Sequence, residues 1–158
     1  MGKISEYDFT VEGLPIGKQR PRATIIGGHA KIYTPKKTVS YEALVRSSFL
    51  SKYRKGLQQI TNGYVKVEIN VYYQLEKPHF IKHGINSEGQ KKLRGEILPT
   101  KKPDVDNIAK TILDALNGVI YRDDSQVVEL VIKKSYIESL PYVGIKLTTY
   151  NYDEMGNE

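Results

Sequence analysis

One stretch decides how this chain folds, and it reads Lys102-Pro103-Asp104-Val105-Asp106-Asn107-Ile108-Ala109-Lys110-Thr111-Ile112-Leu113-Asp114-Ala115-Leu116. On a helical wheel of about 100° per residue, its isoleucines, leucines and alanines fill one arc. Asp106, Lys110 and Asp114 lie within about 80° of one another on the other arc. The stretch therefore predicts a helix over 106–116 that buries one face and keeps charged side chains on the other.

The two aspartates at the start of this helix cannot converge inside it, because residues two apart point about 200° away from each other. Pro103 favours extended backbone nearby, so Asp104 is predicted ahead of the helix and Asp106 at its cap or first turn. There the free amide groups and the helix dipole keep Asp106 ionised. Farther on, Asp123-Asp124 lies on a predicted turn between two strands and can bring a third carboxylate to the same point.

Carboxylates gathered beside a helix start suit a hard divalent cation held by oxygen ligands. We expect Asp104, Asp106 and Asp124 to bind Mg²⁺ directly or through water. The ion would stabilise charge on a scissile phosphate and lower the pKa of an attacking water, while Lys110 stabilises the developing oxyanion or the leaving oxygen.

Each of these features also has a purely structural explanation. Asp106 can be an N-cap, Lys110 and Asp114 an i,i+4 pair, and Asp123-Asp124 a polar turn. Their combination is harder to explain that way. An EF-hand is excluded, because alanine stands at positions 109 and 115, where that loop needs glycine and glutamate.

The charge is unevenly distributed along the chain, whose formal net charge is +6. Residues 1–103 hold 19 Lys or Arg against 8 Asp or Glu, and residues 104–158 hold 5 against 10. An acidic region folded beside a basic one concentrates negative charge where a cation can neutralise it, while the basic surface attracts phosphates. A merely uneven solvated surface is the alternative. The pattern favours a metal-dependent enzyme acting on nucleic acid.

The length of 158 residues suits one domain spanning 1–158. The chain has no cysteine, which excludes disulfides, thiolate zinc sites and cysteine nucleophiles and makes a reducing cytoplasm the expected location. No apolar run approaches the roughly 20 residues that cross a bilayer, so no membrane partner is expected.

Periodicity predicts an α+β fold, with a mixed β-sheet and two main helices packed against it. A helix is expected at 38–53 in addition to 106–116, and Gly27-Gly28-His29 is typical of a hairpin turn between short strands. Residues 76–103 show no periodicity and are predicted to form a long basic loop, and 153–158 a flexible tail. The predicted strands are 7–12, 23–26, 30–33, 64–75, 119–121, 126–137 and 142–150.

Basic side chains near the N-terminus are candidates for phosphate contacts. Lys18, Arg20 and Arg22 alternate, so in an extended segment they would line one side and could follow a nucleic-acid backbone. The alternative is a solvated edge strand. Lys101 and Lys102, just before the acidic stretch, are also expected to contact DNA.

Two groups of residues carry a resemblance to a known family. Lys102 to Lys110, then Asp114-Ala115-Leu116 and Asp123-Asp124-Ser125-Gln126-Val127, match its motifs in order, helix register and spacing. Gly17-Lys18-Gln19-Arg20-Pro21-Arg22 and the region from Tyr33 resemble members of the same group. On these residues the chain resembles the RusA family of Holliday junction resolvases of bacteria and their phages and prophages.

The resemblance implies a homodimeric endonuclease that cuts four-way DNA junctions by paired symmetric nicks in recombination and repair, without an organic cofactor. It implies Mg²⁺, for which Mn²⁺ is an expected substitute. The essential acids would be Asp104, Asp106 and Asp124, with Asp123 left open as a ligand. Lys110 would be the catalytic lysine, and Asn107 would orient a ligand or phosphate.

Two other functions stay open at this point. One is a non-catalytic DNA-binding protein whose carboxylates hold a structural cation. The other is a Mg²⁺-dependent nuclease that prefers flaps or single strands.

Overall fold

Four long strands form the central sheet of this protein, a computed structural model of which describes residues 3–152. The strands β1 (Lys3–Glu12), β4 (Gly63–Gln74), β7 (Val127–Ile137) and β8 (Tyr142–Asn151) are arranged in the order β1-β8-β4-β7. β8 is antiparallel to both β1 and β4, whereas β7 runs parallel to β4. The sheet is therefore mixed, which confirms the predicted α+β class.

Two helices contribute to the core beside this sheet, α1 (Lys36–Tyr53) and α3 (Val105–Leu116). Strand β4 alternates between fully buried and half-buried residues along its length, the pattern of a strand with one face on a core. Phe49 of α1 and Ile112 of α3 are fully buried in the same apolar cluster as Ile69 of β4. The predictions for both helices and for β4 are confirmed to within a few residues.

The amphipathic character of α3 is as predicted, with one refinement at the edge of its buried face. Ile108, Ile112 and Leu116 are fully buried, and Asp106 and Lys110 are exposed. Thr111 is also fully buried, and its hydroxyl donates to the carbonyl of Asn107 at 3.0 Å. Because this bond satisfies the hydroxyl, the charged face of the helix is narrower than a wheel alone implies.

The prediction of a structureless loop over 76–103 was wrong. This segment contains a 3₁₀ turn (Lys77–His79), a small hairpin of β5 (Phe80–Ile81) and β6 (Gly84–Ile85), and the helix α2 (Ser87–Leu93). Strands of two residues and a helix of seven are too short to produce a readable period. The third helix adds to the two main helices that the sequence predicted.

The strand predicted at 119–121 was also wrong. The chain turns tightly after α3, because the Val119 amide bonds the Leu116 carbonyl and the Gly118 amide bonds the Tyr121 carbonyl. Only isolated bridges remain there. The hairpin of β2 (Arg22–Ile26) and β3 (His29–Tyr33) is confirmed, and the predicted tail 153–158 lies outside the described residues. None of the described helices is long and apolar enough to cross a membrane.

Candidate active site

The first two acidic residues leave the start of α3 from different kinds of backbone. Asp104 occupies the N-cap position with φ −68° and ψ 151°, which is extended, and Asp106 lies in the first helical turn. Both are exposed. The ammonium of Lys102 lies 3.1 Å from the Asp104 carboxylate, in a pair so exposed that it contributes little to stability. Asp104 and Asp106 therefore present their carboxylates to solvent at the positive end of the helix dipole.

A second acidic group forms where the chain returns to the other end of α3. Asp124 begins the 3₁₀ turn Asp124–Gln126, and its carboxyl lies within hydrogen-bonding reach of Asp114. Burial, together with the negative charges of Asp123 and Asp114, raises the pKa of Asp124. Two carboxylates this close repel one another unless a proton or a cation lies between them. The Asp114–Asp124 pair is thus a place where a cation would be stabilised.

Asp123 has a different role from its neighbour. Its carboxylate accepts a hydrogen bond from the Ser125 amide at 3.1 Å, and the Gln126 side chain accepts from the Asp123 amide in return. These bonds to Ser125 lower the pKa of Asp123. Asp123 therefore caps the turn, which leaves Asp124 as the one of the two that meets Asp114.

The turn that carries Asp124 is held against α3 by a buried tyrosine. The Tyr121 side chain is fully buried, and its hydroxyl donates to the Leu113 carbonyl at 2.6 Å. Leu113 immediately precedes Asp114. The same contact that closes the turn therefore sets the separation of the two carboxyls.

Lys18 joins the same region from the N-terminal part of the chain. Its amide donates to the Asn107 carbonyl at 3.0 Å, and its ammonium lies 2.7 Å from Glu42 and 3.1 Å from Asp114. Partial burial alone would lower the pKa of Lys18, but its hydrogen bonds to these two carboxylates raise it. The ammonium, whose side chain is 23% exposed, therefore neutralises acids next to α3. Sequence reasoning had expected it to face phosphate.

The close approach of this segment to α3 requires a glycine. A Cβ atom on Gly17 would lie 2.7 Å from the Cβ of Pro103 and 3.3 Å from that of Asn107. Contacts below 3.0 Å do not occur between real Cβ atoms, so only glycine lets the backbone pass here. Glu42, in α1, was missed by sequence reasoning, because 24 residues separate it from Lys18 and no periodic pattern links the two.

The other predicted DNA contacts are spread over the surface. Arg20 and Arg22 are exposed, and neither pairs with an acid within residues 3–152. Lys101 pairs with Glu76. Lys110 is exposed on α3, and among the described residues it has no ion-pair partner. Its ammonium is therefore free to meet an anionic ligand.

The donors are of the kind that Mg²⁺ prefers, since all are carboxylate oxygens. The structure brings Asp124 to Asp114 rather than gathering Asp104, Asp106 and Asp124 at one point. Within residues 3–152 no group of three or more acidic, histidine or cysteine side chains is close enough to hold a metal ion. Asp104 and Asp106 are exposed side chains at the end of a helix, so their rotamers can change without disturbing the core.

Comparison with known proteins gives two matches that agree with this site. A family model described as endodeoxyribonuclease RusA matches residues 12–148, a range that includes every acidic residue discussed above. The chain is also 37% identical over 133 residues to the uncharacterized protein YqaN of Bacillus subtilis (strain 168), and the match covers 82% of this chain and 87% of that protein. The resemblance seen in the sequence is thereby confirmed, and the chain belongs to the RusA family of endodeoxyribonucleases.

Proposed function

We propose that this protein is a Mg²⁺-dependent endonuclease that resolves four-way DNA junctions, acting as a homodimer that makes paired symmetric nicks. The observation that carries the proposal is the charged face of α3. It presents Asp106 and an unpaired Lys110, begins at Asp104 and meets Asp124 through Asp114. Membership of a DNA-cutting family supports the choice of substrate.

Asp104, Asp106 and Asp124 are the proposed metal ligands, and the capping role of Asp123 favours its neighbour as the third acid. Mg²⁺ bound there would offset charge developing on the scissile phosphate and activate water for attack, and Mn²⁺ should replace it. Lys110 would contact an oxygen of that phosphate, since its ammonium is exposed and free. Asn107 adjoins the same turn and would orient a ligand or phosphate.

Lys18 contributes to the site from behind it. Its ammonium neutralises Asp114, which favours the ionised form of that acid beside Asp124. Neutralising one member of a carboxyl pair also reduces the repulsion that pushes the two apart. Lys18 is therefore a positioning residue in this proposal, and Arg20 and Arg22 are the nearby candidates for phosphate contacts.

Dimerisation follows from the symmetry of the proposed substrate. A four-way junction has two equivalent strands to cut, and two copies of one active site related by a two-fold axis match that arrangement. Sedimentation of the free protein and of its junction complex gives the number of copies directly. A complex with one copy per junction would contradict paired cutting by a dimer.

The deciding experiment offers the protein labelled four-way junction, linear duplex and flap DNA, each with Mg²⁺ and with EDTA. We expect paired nicks at symmetric positions of the junction, dependent on Mg²⁺, and no cutting of linear duplex. The variant Asp106→Asn should bind the junction and not cut it, whereas Asp8→Asn, at an exposed aspartate of β1, should behave as wild type. Binding without cleavage by the wild type would instead indicate a DNA-binding protein with a structural cation, and preferred cutting of flaps a different nuclease.

A further inference from the structure

The positive charge of this protein is concentrated in one short part of the chain. Residues 77–102 contain seven Lys or Arg and two Glu, which accounts for five of the net six positive charges. All other residues together hold 17 Lys or Arg against 16 Asp or Glu. We call residues 77–102 the basic segment. Any attraction of the whole protein to a polyanion is therefore centred on it.

The basic segment is fixed to the sheet by a network around Glu76, at the end of β4. One Glu76 oxygen lies 2.8 Å from the ammonium of Lys92 and 2.8 Å from Nε2 of His79, and the other bonds Lys101. The side chains of Lys92 and His79 are only 10% and 7% exposed. Lys92 also lies 4.9 Å from the centre of the Tyr136 ring in β7. A network this buried holds α2 and the turn before it in one position.

A second anchor fixes the end of the basic segment next to the candidate active site. The ammonium of Lys134 in β7 donates to the carbonyl of Lys101 at 2.6 Å and to that of Pro103 at 2.7 Å. Asp104 follows directly, so the backbone leaving the basic segment enters the acidic site without a free linker. DNA held at the acidic site must pass close to this segment.

Three lysines of the segment take no part in these anchors. Lys77, Lys82 and Lys91 are exposed, and none pairs with an acid in the described part of the chain. Other cations of the segment are engaged, since Arg94 pairs with Glu96 and Lys102 with Asp104. Lysines without an internal partner, on a segment held rigid by other residues, are suited to bind phosphates at little entropic cost.

We propose that the basic segment is a second DNA-binding surface, which holds the phosphate backbone of a duplex arm leaving the active site through Lys77, Lys82 and Lys91. The substrate of this surface is double-stranded DNA in general, read by charge and not by sequence. The inference rests on the proposed function for its placement of DNA at the acidic site. Glu76, Lys92 and Lys134 are the positioning residues that aim the surface.

The test measures how DNA affinity depends on salt, in a non-cutting Asp106→Asn background, for a junction and for linear duplex of one arm's sequence. Each lost phosphate contact reduces the slope of log affinity against log salt by about 0.9. Removing three contacts by Lys77→Ala, Lys82→Ala and Lys91→Ala should therefore flatten the slope by about 2.7. Between 50 and 200 mM salt the parent would lose about 40-fold more affinity than this triple variant.

The matched control removes three exposed lysines outside the basic segment, by Lys55→Ala, Lys133→Ala and Lys146→Ala. Its slope should stay near that of the parent, and equal flattening in both triple variants would overturn the proposal. Flattening on the junction but not on linear duplex would also overturn it, because the contact would then be at the branch point. All variants should unfold at the parent's temperature, since the replaced side chains are exposed.

Two further readings keep this result apart from other outcomes. Lys82→Glu alone, in the turn between β5 and β6, should weaken duplex binding more than Lys82→Ala, and equal binding would argue against a phosphate there. Linear duplex binding involves no cleavage, so it tests the basic segment even if the wild type fails to cut junctions. Failure of junction cutting with a flattened duplex slope would reject the proposed function alone.

Discussion

Replacing Glu76 by glutamine should destabilise the protein at neutral pH and have little effect in acid. Hydrogen bonds from Lys101 and Lys92, followed by that of His79, lower the pKa of Glu76 from the ordinary 4.5 to about 2. Folding thus favours the ionised carboxylate. The stabilisation is complete above about pH 4.5 and is lost as the pH falls toward 2.

The size of the effect follows from the lowered pKa. A pKa of about 2 in the folded state corresponds to at most about 3.4 kcal/mol of folding free energy. Because the Glu76 side chain is 38% exposed, solvent screening reduces this to about 1–2 kcal/mol. At low pH the protonated glutamic acid resembles the glutamine of the variant, so the two proteins should converge.

Urea unfolding of wild type and Glu76→Gln, followed by circular dichroism at pH 7 and pH 3, measures both quantities. We expect a difference of about 1–2 kcal/mol at pH 7 that falls to less than half at pH 3. Glu96→Gln is the matched control, since Glu96 forms only an exposed pair with Arg94, and it should change stability by less than about 0.5 kcal/mol. A difference between wild type and Glu76→Gln that is the same at both pH values would refute the reasoning from charge.

Three further substitutions test the packing and the chemistry around α3. Gly17→Ala should destabilise by about 1–3 kcal/mol in urea unfolding, because its Cβ would lie 2.7 Å from that of Pro103, and an unchanged midpoint would show that the segment shifts freely. Tyr121→Phe should cost about 1–2 kcal/mol, since the buried Leu113 carbonyl loses its donor, and no loss would mean that water replaces the hydroxyl. Lys110→Ala should slow junction cleavage by about 100-fold at an unchanged unfolding temperature, and a protein that unfolds would instead assign Lys110 to the fold.

The regular elements of this fold could be predicted from the sequence because their signals are local. Alternation along β4 and the apolar arc of α3 depend on residues two to four apart, and both predictions were confirmed. The acidic motif around Asp104 and its resemblance to the RusA family were equally readable, and the family match confirmed the resemblance. Short elements of 76–103 were not, because two-residue strands carry no period.

By itself, then, the sequence determined the fold class, the amphipathic helix and the family. Tertiary structure alone decided the partners of the charged groups. Lys18 meets Asp114 and Glu42 across three separate elements, and Glu76 gathers cations from residues up to 25 apart. Such contacts depend on which surfaces the core brings together, because ion pairs form wherever opposite charges are left adjacent. That physical dependence turned a patternless basic stretch into an anchored surface beside α3.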